Sequence, residues 1–114
     1  MLRPALMALL LVAACTKGPE ADLQYISEAR SLAAEWAMVN EQAAEGKLTG
    51  TYVATMRHSV REQLRTASQS LTQPDSRYGE EIAALLDQPD DSAPEELRAH
   101  ADELKQIEDG LESA

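Results

Sequence analysis

The sequence predicts an all-α fold, a small up-down bundle of three to four helices that follows an N-terminal export segment. Three observations predict it. Large apolar residues recur at three- and four-residue intervals along most of the chain. No segment alternates apolar and polar residues with period two, as a half-buried strand would. Glycine and proline fall between the periodic segments, and the short connections they leave favour antiparallel neighbours.

Pro19 suits the first position of a helix, and Glu20 and Asp22 suit the positive end of its dipole. Tyr25, Ile26, Ala29, Leu32, Ala33, Trp36, Val39 and Ala43 then form one stripe, with Asn40 at its edge. This first helix is expected to run from about Pro19 to Glu45 and stop at Gly46. Thr49 is the expected N-cap of a second helix, whose Val53, Met56, Val60, Leu64, Ala67 and Leu71 give the clearest amphipathic pattern. Pro74 is expected to end that segment.

Asp75 or Ser76 would cap a short third helix, with Tyr78, Ile82, Leu85 and Leu86 turned inward. Residues 88–91 read as a turn. Ser92-Ala93-Pro94-Glu95 reads as a capping box opening a fourth helix, which carries Leu97, Ala101, Leu104, Ile107 and Leu111. Gly110 is expected to fray its end. Leu32, Trp36, Val53, Met56, Val60, Leu64, Leu104 and Ile107 are the expected interior.

The first fifteen residues are of a different kind. Arg3 supplies a positive start, and residues 5–14 are apolar and uncharged, too short a run to span a bilayer as a helix. The run closes on Val12-Ala13-Ala14-Cys15, which contains the chain's one cysteine. This stretch resembles the lipobox-containing, type II signal peptide of bacterial lipoproteins. The resemblance implies cleavage between Ala14 and Cys15, a diacylglycerol on the Cys15 sulfur, and acylation of the new amine. Ala13 and Ala14 would also suit an ordinary signal peptidase. By the same resemblance Thr16, in place of an aspartate, favours the outer membrane. The expected organisation is a signal peptide over residues 1–14, a lipidated tether over 15–19 and one helical domain over 20–114.

Composition narrows the function. Cleavage removes Arg3 and leaves nine basic against twenty acidic residues, a net charge of −11 with histidine neutral. That balance argues against nucleic-acid binding, which needs a basic footprint, and against electrostatic adhesion of the protein body to anionic lipid. One cysteine allows no intrachain disulfide, so stability has to come from the core. The core is thin: the mature chain holds sixteen Leu, Ile and Val residues, no Phe, and fifteen alanines. Helical placement of the large residues still argues for folding over disorder.

Arg57, Arg61 and Arg65 lie four apart beside the apolar stripe of the second helix. Such a strip suits lipid phosphates or an acidic partner. Residues 75–114, with thirteen acids against Arg77, Arg98 and Lys105, also offer ample internal partners, and charge matching within the domain is the expected role. Glu96, His100 and Glu103 follow one edge of the fourth helix, carboxylates and an imidazole that suit a divalent metal. A single histidine there fits a packed edge residue better, so neither metal nor other cofactor is expected. Trp36 and Tyr25 read as packing anchors.

The chain holds no G-x-S-x-G turn, Gly-rich phosphate loop or dinucleotide fingerprint, and no enzyme is expected. The expected function is a non-enzymatic envelope lipoprotein, membrane-bound through its N-terminal lipid, whose acidic domain is a periplasmic interaction or structural module for an envelope protein partner. The alternative is a small ligand- or metal-handling periplasmic lipoprotein.

Overall fold

The computed structural model describes residues 18–114. The expected signal peptide, the expected cleavage position at Ala14 and Cys15, and residues 15–17 of the expected tether lie outside the described residues. Four helices follow in order: α1 (Pro19–Ala44), α2 (Gly50–Ser70), α3 (Arg77–Leu86) and α4 (Pro94–Glu112). Among the described residues there is no strand. The fold is the expected all-helical up-down bundle in its four-helix form. Pro19, counted with the tether above, is already the first residue of α1.

Side-chain pairs fix the directions. Asp22 meets Thr72 and Asn40 meets Arg57, so α1 and α2 are antiparallel. Arg30 meets Glu108 and Glu41 meets Arg98, so α1 and α4 are antiparallel too. Arg77 pairs with Glu103 and His100 with Glu81, which sets α3 against α4 in the same way. α1 packs along both α2 and α4, while α2 and α4 do not approach each other. At 26 residues, about 39 Å, α1 is the spine of the molecule.

Local chemistry explains most boundaries. Gly46 takes a positive φ of 71°, and the amides of Gly46 and Lys47 turn back to the carbonyls of Ala43 and Gln42, the bonding of a Schellman stop. Thr49 caps α2 by accepting from the Tyr52 amide at 3.2 Å, and Ser76 caps α3 by accepting from the Gly79 amide at 3.2 Å. The Gly79 position has a second reason to lack a side chain. A Cβ there would stand 2.2 Å from the Pro74 carbonyl oxygen, because the α2–α3 connection folds directly onto the first turn of α3.

Three expectations are corrected. α2 ends at Ser70, ahead of Pro74, because the amides of Thr72 and Gln73 are taken by Asp22 from α1. The capping box at Ser92 does not form. Ala93 stands at the N-cap of α4, and the Ser92 hydroxyl donates to Gln88 Oε1 at 2.5 Å. α4 also continues through Gly110 to Glu112.

Buried at the centre are Ile26, Leu32, Trp36, Val60, Leu64, Ile82, Leu85, Leu97 and Leu104, together with Ala29, Ala33 and Ala37. Seven of the eight residues expected inside are buried; Met56 is half-exposed.

Candidate functional site

α1 carries two polar residues on its buried face, near its two ends. Asp22, Ile26, Ala29, Ala33, Trp36 and Asn40 follow a 4-3-4-3-4 spacing, and all six are buried. Both polar members hold a connection between helices.

Asp22 is fully buried, in the first turn of α1. Its carboxylate accepts from the Thr72 amide at 2.8 Å, the Thr72 hydroxyl at 3.0 Å, the Gln73 amide at 3.2 Å and the Tyr78 hydroxyl at 2.6 Å. One side chain thus fastens the start of α1 to the α2–α3 connection and to α3. Burial by itself would push this carboxyl up; the bonds from Tyr78, Thr72 and Gln73 outweigh it and hold the group below its ordinary value. Burial, and then the bond to Asp22, push the Tyr78 phenol up to about 12.

Asn40 marks the opposite end. Its Nδ2 donates to the carbonyls of Asp90 at 2.9 Å and Ser92 at 2.8 Å, and Trp36 Nε1 donates to the same Asp90 carbonyl at 2.9 Å. The α3–α4 connection is thereby laid across the spine. Asn40 Oδ1 in turn accepts from Arg57 Nε at 2.9 Å.

The arginine strip separates into three roles. Arg61 reaches across to the end of α3, donating to the carbonyls of Leu86, at 2.9 Å, and Gln88, and to Asp90 Oδ1 at 2.6 Å. Its guanidinium lies 4.9 Å from the centroid of the Trp36 ring, within cation–π range. It closes off the carbonyls that a helix C-terminus leaves without partners. Arg65 pairs with Glu62 on its own exposed helix face. Arg57 uses only Nε. Among the described residues it is the one arginine or lysine with no carboxylate within 4 Å; Arg30, Lys47, Arg61, Arg65, Arg77, Arg98 and Lys105 each have one.

Glu96, His100 and Glu103 are engaged differently from a ligand set. His100 Nδ1 lies 2.6 Å from Glu81 Oε1 on α3, Glu103 pairs with Arg77, and Glu96 is exposed on the first turn of α4. The acidic side chains that do converge are Glu108, Asp109 and Glu112. Of these, Glu108 is buried and faces Arg30, whose Nε stands 3.1 Å away without the alignment of a hydrogen bond. Asp109 is taken up by Lys105 at 3.3 Å.

Local sequence patterns mark Asp22 only for the helix dipole and reveal neither its fastening role nor the long reach of Arg61. The available signal is that Asp22 and Asn40 both continue the apolar stripe of α1, where a polar residue needs a partner. No helix among the described residues is long and apolar enough to cross a membrane. No protein-family model, curated protein or solved structure matches the chain.

Proposed function

We propose that the protein is a non-enzymatic lipoprotein of the bacterial cell envelope. Lipid on Cys15 would hold it at the membrane after cleavage behind Ala14, with the periplasmic face of the outer membrane favoured by Thr16. Its acidic helical domain would then act as a periplasmic interaction or structural module. The observation that carries this reading is the order of Arg3, the uncharged apolar run and Val12-Ala13-Ala14-Cys15. A single acyl chain anchors marginally, at ~0.8 kcal/mol per buried methylene, whereas the several chains of a lipoprotein N-terminus hold firmly.

The interior supports a structural role. Asp22, Asn40 and Arg61 are occupied in joining helices and connections. Partners would be the membrane, through the anchor, and an envelope protein; the excess of acidic residues disfavours nucleic acid.

Intact mass of the membrane-extracted protein tests the anchor. Acyl chains on residue 15 at the mature N-terminus are expected, and Cys15→Ser should release the protein from the membrane fraction. An unmodified mature chain, or a wild-type chain that fractionates like the variant, would refute the reading. Crosslinking in intact envelopes with the lipidated protein as bait then tests for the partner.

A further inference from the structure

We infer that the groove beside Arg57 binds an α-carboxylate whose neighbouring nitrogen carries a hydrogen, as in a free amino acid or the last residue of a peptide. The inference is independent of the lipid anchor, and the two can fail separately.

Arg57 is the anomaly that points to it. In a chain with twenty acids, every other described arginine and lysine has a carboxylate within 4 Å. Arg57 bonds instead to a neutral amide oxygen, through Nε alone. Its two terminal amino groups, the end-on fork of the guanidinium, have no protein partner among the described residues. They are also accessible, since among the described residues the only buried side-chain polar atom lacking a hydrogen bond is Arg30 Nε. That fork matches the two oxygens of a carboxylate.

The fork is held in place before any ligand arrives. Arg57 is half-buried, and the Asn40 that orients it is itself buried and pinned by the carbonyls of Asp90 and Ser92. Pre-orientation lowers the entropy lost on binding. The groove that Arg57 lines, of about 300 Å³, is also lined by Ala43, Ala44, Pro94 and Asp91. The small apolar residues suit a short aliphatic side chain. Asp91, exposed and without a hydrogen bond or ion pair among the described residues, is an acceptor for an ammonium or an amide N–H. Arg57 and Asp91 together are neutral, which matches a ligand carrying a carboxylate beside a nitrogen donor.

The test is a ¹⁵N–¹H NMR titration of the full chain with three probes. Alanine carries a carboxylate and an ammonium, N-acetylalanine a carboxylate and an amide N–H, and N-acetylalanine amide no carboxylate. Saturable shifts confined to the amides of Ala43, Ala44, Asp91 and Ser92 are expected with alanine, N-acetylalanine or both, and none with the amide. A response to alanine alone identifies a free amino acid as the source, and a response to N-acetylalanine identifies a chain terminus. Arg57→Gln should weaken binding tenfold or more, since hydrogen bonds to a charged group are lost, while the remaining spectrum stays folded. Arg65→Gln serves as the control and should bind as wild type. Shifts with all three probes, with none, or undiminished in Arg57→Gln would overturn the inference.

Discussion

Asp22 shows how much a single carboxylate holds together in this bundle. Replacing it by Asn keeps the shape but sets an amide in front of donors, so at least one bond reverses or is lost. Asp22→Asn should cost about 1–3 kcal/mol at neutral pH, the usual penalty for an unsatisfied buried polar group. The pH dependence has a definite sign. The folded carboxyl titrates below its ordinary 3.8, so its contribution is present above that value and disappears as pH falls through the folded pKa. Urea midpoints of wild type and Asp22→Asn should therefore differ at pH 7 and converge in acid. Equal midpoints at pH 7 would mean that the carboxylate does not fasten the α2–α3 connection. Nothing local marks Asp22 for this role, because an acidic residue in the first turn of a helix is already explained by the dipole. Its place on the stripe of Ile26, Ala29 and Trp36 is the feature that a stricter reading of periodicity would have used.

At the scale of elements, the boundaries that were legible in the sequence are those set by neighbours in the chain. Gly46, Thr49 and Ser76 act within a few residues of themselves; the sequence predicts the first two and narrows the third to Asp75 or Ser76. The end of α2 is decided by a side chain fifty residues away, Asp22, and at the start of α4 the Ser92 hydroxyl turns to Gln88 while Asn40 holds the Ser92 carbonyl, so the local capping pattern misleads there. Two glycines make the contrast testable. Gly79 is buried against the Pro74 carbonyl, so Gly79→Ala must push backbone aside and should destabilise by about 1–3 kcal/mol. Gly110 lies within α4 with open space around it, so Gly110→Ala should stabilise by up to about 1 kcal/mol through helix propensity. Thermal melts of the two variants should move in opposite directions. A shared direction would contradict the close approach at Gly79.

Across the whole molecule, three arginines with identical spacing do three different things, and salt separates them. Arg65→Gln removes an exposed pair and should cost at most about 1 kcal/mol, vanishing in high salt. Arg61→Gln removes the closure of α3 and the contact with the Trp36 ring, and should cost about 1–3 kcal/mol with most of the loss persisting in salt. Denaturation of each variant at low and high ionic strength checks this; equal salt sensitivity would erase the distinction.

The two fastenings at the ends of α1 also bear on the order in which the chain assembles. Its helical hairpins form from nearby segments, whereas Asp22 to Thr72 and Trp36 to Asp90 close separations of 50 and 54 residues. Such closures are entropically costly and are expected to form late on the path, after the transition state. Asp22→Asn and Asn40→Ala should therefore leave the refolding limb of a chevron almost unmoved and shift the unfolding limb to faster rates, with φ-values near zero. The lifetime of the native bundle, more than the speed of its formation, is what these two side chains set.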